Sequence, residues 1–362
     1  MSMSYAAVAK TPPDPRVVTE TMLDAAELED FSPHIDSNKL LIGLYDSDNE
    51  LFKRWYHVLS PVLEVASPVM ANLIRTQSNT VGEHRVLVVE GVVSEALDCI
   101  FSVLHHWNII AYKSLEIDQI VSVAGCSSKL GFNKALSSWV YRWYEPHIAQ
   151  IACGNHIKPD TLGPLLESAK DFEAPEQFSK VWMEAVRKLS PADFTPAMHD
   201  KPLVPEGMKD ALSIDVAALL TRMTDDISNL DGPLQIGRTQ FATRFYRCPD
   251  CGRRQNTSSC SNCCIPFDDQ DVSNCNKQSR IADFFNIFMK AGMWPPSVPR
   301  QKFSANQLAQ HVYVLNEYLE HSCTGEHSCP LRFHITGLSQ RLNRTLKQVP
   351  EPNLKASGFF QG

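Results

Sequence analysis

No stretch of the sequence approaches the ~18 consecutive apolar residues of a membrane span, and the opening MSMSYAAVAKTPPDPR lacks an apolar core of signal-peptide length. A soluble, intracellular protein with no membrane contact is expected. Also missing are a phosphate-binding P-loop, a Gly-x-Gly-x-x-Gly turn, a Gly-x-Ser-x-Gly elbow and a His-Glu-x-x-His helix. These gaps predict a non-enzyme with no catalytic residues. Excess positive charge is absent too: 34 Lys and Arg face 41 Asp and Glu, giving a net charge of -7. That balance argues against a whole-protein grip on nucleic acid or an anionic membrane, so nucleic acid is not an expected partner of the chain as a whole.

What is present suits a globular chain of more than one unit. Its 362 residues are 43% hydrophobic, enough for a real core and long for a single one. Residues 1–37, with the rigid TPPDP, read as a disordered leader with a short helix around Leu23 to Leu28. KLLIGLY (39–45) and RVLVVE (85–90) read as buried strands. Between them Ser60-Pro61 and Ser67-Pro68 carry the serine cap and first-turn proline that start two short helices. Val93, Leu97, Ile100 and Leu104 form one helical stripe, LEIDQIVSVAG makes a further helix, and Phe132, Leu136, Trp139 and Trp143 repeat the spacing before Pro146. Later helices are expected at 208–229 and 278–291, and after the Ser304/Gln307 capping box.

The stretch RCPDCGRRQNTSSCSNCC, residues 247–264, holds five of the 11 cysteines. Cys248-x2-Cys251 and Cys260-x2-Cys263 are two thiol pairs whose tight turns can each bring two thiolates to one zinc ion. Four thiolates leave no open coordination position, so the expected zinc is structural, a staple for a polar, serine-rich segment. Cys264 or Cys275 could replace a ligand, and His321, Cys323, His327, Cys329 and His334 offer material for a second site. Arg238, Arg244, Arg247, Arg253 and Arg254, interleaved with Phe241, Phe245 and Tyr246, could meet phosphates and bases, or serve as solvated surface. Cys99, Cys126 and Cys153 read as small core residues, and His105 and His106 as a helix end.

The phrases VLSPVLEVASPVMANLI, VVEGVVSEALDCIFSVLHHWN and LEIDQIVSVAGCSSKLGFNKALSSWVYRWYEP resemble, respectively, the helical hairpin, the strand with its following helix, and the terminal helices of the BTB/POZ domain in its divergent fungal form. Where many members carry Lys or His just before the first hairpin helix, this chain has KRWYHVLS with His57. The resemblance implies an α/β (α+β) interaction module that dimerises, docks a cullin-type ubiquitin ligase scaffold or recruits transcriptional cofactors. The expected organisation is a leader (1–37), a BTB/POZ-like domain (38–147), a helical connecting region (148–240), a cysteine-rich zinc-binding segment (241–276), a helical C-terminal segment (277–346) and a flexible tail (347–362). The expected function is that of a protein-binding adaptor whose partner is a cullin or a second copy. The alternative is a zinc-dependent nucleic-acid-binding or transcriptional regulatory protein.

Overall fold

The computed structural model describes residues 18, 28–31, 38–46, 51–154, 159–195, 204, 206–230, 234, 246–247, 251, 254–255, 277–295, 297–318 and 330–352. The architecture is mixed α/β and mostly helical, with a five-stranded sheet and twelve α-helices among the described residues. Its contacts divide into two compact units: Met1–Gln150 with Pro164–Phe178 and Leu354–Gly362, and Ile151–Gly163 with Ser179–Asn353. No helix among the described residues is long and apolar enough to cross a membrane.

The first unit contains the sheet, built from β1 (Leu28–Asp30), β2 (Lys39–Asp46), β3 (Leu51–Leu59), β4 (Asn79–Val81) and β5 (His84–Glu90). Their order is β1-β3-β2-β5-β4. Strand β2 lies antiparallel to β3 and parallel to β5, and both of its faces are buried, which is why KLLIGLY reads as an unbroken apolar run. Leu40, Ile42, Tyr56, Val58 and Leu87 are buried on one face, where Tyr56 meets Phe101 edge-on with ring centroids 5.4 Å apart. Leu41, Trp55 and Val86 form a cluster on the other, packed by Val18, Phe52 and Val81. Gly43 pairs with Trp55, whose indole would stand 2.6 Å from any Cβ placed there.

Two expected strands are therefore joined by three more. The segment WYHVL, which carries no clear strand signal of its own, ends β3, where Lys53, Arg54 and His57 break the apolar pattern. Within the leader, Leu28 opens β1 rather than ending a helix, and residues 23–27 lie outside the described residues. Arg54 fixes this short strand by pairing with Glu29 at 3.2 Å and with Asp98 of the helix beyond, and Phe31 is buried against Tyr56 and Phe101.

The helical hairpin, α1 (Ser60–Ala66) and α2 (Pro68–Gln77), follows β3 directly. Ser67 caps α2 as its sequence suggests: its hydroxyl accepts from the Met70 N–H at 3.0 Å and donates to the Leu130 carbonyl. Ser60 instead lies inside α1, whose cap position is Leu59, and its hydroxyl donates to the Asn38 carbonyl. Next come α3 (Ser94–Leu104), α4 (Ile117–Leu130) and α5 (Asn133–Cys153). Leu97 and Ile100 are buried as expected, whereas Val93 precedes the helix and is exposed. Gly131 ends α4 at φ 74°, a left-handed cap that glycine adopts without strain. Helix α5 runs through Pro146 rather than stopping there. The missing N–H is outweighed by anchors just before it: buried Trp143 donates to the Tyr112 carbonyl, and Tyr144 is hydrogen-bonded to Ser168.

Helices α6 (Pro159–Asp171) and α7 (Pro175–Lys188) follow. The second unit then adds α8 (Glu206–Ser228), a two-stranded hairpin of β6 (Tyr246–Arg247) and β7 (Arg254–Gln255), α9 (Lys277–Lys290), α10 (Ser297–Lys302), α11 (Ala305–Val314) and α12 (Pro330–Lys347). Helix α8 packs against α10, α11 and α12 through Leu212, Val216, Leu219, Leu220 and Met223. Both hydrogen bonds of the Ser304/Gln307 capping box form, and Leu308, Val312 and Leu315 are buried. Lys188, almost fully buried, donates to the carbonyls of Ile151, Ala152 and Gly154 at the end of α5, a cation where the helix leaves acceptors unpaired.

Candidate functional site

The connection from α3 to α4, residues 105–116, is held from below and apolar above. His105 closes α3: its Nδ1–H donates to the Phe101 carbonyl at 2.9 Å, and its Nε2 accepts the Leu59 N–H at 3.0 Å. The histidine is a helix-end residue as the sequence suggests, but it acts through hydrogen bonds of a neutral ring. Burial lowers its pKa, against the opposing pull of the Phe101 carbonyl. The Trp107 N–H bonds to the Ser102 carbonyl at 2.8 Å. From α5, Trp143 donates to the Tyr112 carbonyl and His147 to the Leu115 carbonyl, each at 2.8 Å.

His106 and Asn108 take positive φ, 54° and 46°, so the loop stores backbone strain that these bonds hold in place. Its apolar side chains nevertheless face solvent, Trp107 45% and Ile110 73% exposed. The loop's Tyr112 also lines a cleft of about 220 Å³ between α3 and α4, with Cys99 and Leu115 among its walls and Val93, Glu95 and Asp118 beside them. Burial pushes the Cys99 thiol up to about 12, which keeps it protonated and rules it out as a nucleophile at neutral pH. Cys126 behaves in the same way, while Cys153, expected in the core, is exposed.

A rigid loop with an exposed tryptophan, an exposed isoleucine and an adjoining apolar cleft is chemically suited to docking another protein, because its ordering cost is met before any partner arrives. Nothing in the residue classes for metal, nucleophile or phosphate chemistry pointed here. The available signal was the tripeptide-spaced Trp107 and Ile110 in a segment with no helical stripe to receive them.

Of the expected zinc ligands, Cys251 is described and exposed, in the turn of the β6–β7 hairpin. Cys248, Cys260 and Cys263 lie outside the described residues, as do Cys264, Cys275, His321, Cys323, His327 and Cys329. Tyr246 pairs with Gln255 and Arg247 with Arg254, so the six-residue connection between the strands carries Cys248-x2-Cys251. Among the described residues no group of three or more His, Cys, Asp or Glu is placed to hold a metal. His334 is half-buried in α12, its pKa lowered by burial and by Arg341 beside it.

Compared with protein-family models and with curated proteins, the chain matches none.

Proposed function

We propose that the chain is a non-enzymatic interaction protein whose sheet-bearing unit, of BTB/POZ type, docks a partner protein through the loop between α3 and α4. The observation that carries this reading is the exposure of Trp107 and Ile110 on a backbone fixed by buried hydrogen bonds. The chain order also supports the BTB/POZ assignment: after β1 come the β2–β3 hairpin, a helical hairpin, the antiparallel pair β4–β5 and three helices. The partner class follows from that assignment, a cullin-type scaffold or a second copy of the chain. With Glu95 and Asp118 beside the cleft, it would insert an apolar side chain flanked by basic residues.

The test uses the full chain with a purified cullin N-terminal domain, and sedimentation of the chain alone for self-association. Trp107→Ala with Ile110→Asp should weaken whichever contact forms by about 10- to 100-fold, as central apolar anchors do, while the melting temperature stays within a degree or two. Loss of neither contact, or no contact at micromolar concentration, would overturn the reading.

The β6–β7 hairpin favours a second component, a structural zinc held by Cys248, Cys251, Cys260 and Cys263. Zinc there would supply folding free energy to the segment at 241–276 and leave no position for chemistry. A regulatory role with nucleic acid is the alternative function for this half of the chain.

A further inference from the structure

The formal charge is divided very unevenly along the chain. Residues 1–235 hold 19 Lys and Arg against 32 Asp and Glu, a net charge of -13, whereas residues 236–362 hold 15 against nine, a net charge of +6. A whole-chain charge of -7 conceals this, and asymmetry of this size points to a local polyanion contact.

Helix α12 concentrates the effect. It has 18 residues, contains Arg332, Arg341, Arg344 and Lys347, and has no Asp or Glu. Leu331, Ile335, Leu338 and Leu342 are buried on its inner side. The opposite stripe, Phe333, Thr336, Gln340, Asn343, Arg344 and Lys347, is exposed along the whole length, about 27 Å at 1.5 Å per residue. Phe333 is 69% exposed, with an edge-on ring contact to its neighbour His334 at 5.4 Å. The helix is braced from within its own unit, where the Arg187 side chain donates to the Leu346 carbonyl at 3.0 Å near its C-terminal end.

We infer that this stripe is a recognition face for duplex DNA, with α12 lying in the major groove. Arg332, Arg344 and Lys347 are the cations that meet phosphates or guanine edges. Gln340 and Asn343, each carrying a donor and an acceptor on one amide, match the adenine edge. The deep, narrow major groove of an RNA duplex does not admit a helix, and polyglutamate, which would satisfy the cations alone, serves as a competitor in the test. The inference does not rest on the docking loop or on zinc.

The experiment is fluorescence anisotropy of the full chain with a labelled mixed-sequence DNA duplex, at 50 and 200 mM salt. The expected affinity falls by roughly 40- to 150-fold between the two, the change for three to four neutralised phosphates. Arg344→Glu with Lys347→Glu should weaken binding at least about tenfold and flatten that slope. Gln340→Ala with Asn343→Ala should cost about tenfold in preference between duplex sequences while leaving the slope intact. Unchanged thermal unfolding checks that the exposed substitutions left the fold alone, and Arg344→Gln with Lys347→Gln gives the same reading should charge reversal unfold the helix. Absence of duplex binding at 50 mM salt, indifference to these substitutions, or equal competition by RNA duplex or polyglutamate would overturn the inference.

Discussion

The five-stranded sheet and the β6–β7 hairpin are both paired strands, yet they hold together in different ways. In the sheet, β2 is buried on both faces, and Leu40, Ile42, Tyr56 and Val58 are excluded from water altogether. The hairpin has two residues per strand and two register pairs, far below the size at which a strand pair stands alone in water. The sheet is held by its core, whereas the proposed zinc would be what holds the hairpin. Removing that ion should then leave the sheet untouched.

The largest expected effect breaks the comparison on the hairpin side. Cys251→Ser, or chelation of the intact chain, should lower bound zinc from about one ion per chain toward none and abolish amide-exchange protection around 246–255. The free energy involved is on the order of 10 kcal/mol, the scale of zinc binding in small modules. Exchange protection of β2, β3 and β5 should persist. Full protection of the hairpin without metal would show that burial sustains it after all.

A smaller effect comes from the sheet side. Gly43→Val should place a branched side chain where the Trp55 indole lies 2.6 Å from a Cβ, forcing one of them off its packing position. Denaturant unfolding should show a loss of about 1–3 kcal/mol in the sheet-bearing unit, with bound zinc unchanged. A neutral result would mean that the Leu41–Trp55–Val86 face yields more readily than its burial indicates.

How much of this was legible in the sequence follows the same division. β2 announced itself as an apolar run and β5 as a β-branched one because both are largely covered on both sides, and α11 because its cap and stripe are local features. β3 did not, because Lys53, Arg54 and His57 interrupt its pattern, and the register shift at Leu44/Tyr45 removes strict alternation. β1, the tripeptide LED, has no periodic signal; it is held by β3 and by Arg54, both distant in sequence. Pro146 misled for a related reason, since hydrogen bonds from Trp143 and Tyr144 lie outside any local rule. The α3–α4 loop was hidden because its proposed docking role depends on exposed apolar residues over a pinned backbone, and pinning is a tertiary property. For the cysteine segment the spacing spoke first, and the hairpin adds a backbone arrangement that it did not specify.

The smallest effect sharpens the comparison by separating the α3–α4 loop from the sheet beneath it. His105 is neutral in the fold, its pKa lowered below the usual ~6.5 by burial, and its Nε2 accepts the Leu59 N–H. Protonation would turn that acceptor into a donor facing another donor. The unfolded chain takes up the proton more readily, so the stability is fully present above the unfolded value of ~6.5 and is lost as pH falls from there through the lowered folded pKa. One histidine can contribute at most about 1.4 kcal/mol per pH unit to this slope. His57 is shifted in the same direction, chiefly by burial, so the total slope has at least two contributors. His105→Gln keeps an acceptor for Leu59 but cannot titrate. Melting curves between pH 7.5 and 5.5 should therefore show a shallower decline in the variant, with Trp107 fluorescence holding its pH 7.5 character further into acid. An identical decline in both proteins would assign the whole acid response to His57 and other groups, and remove His105 as the pin of the loop.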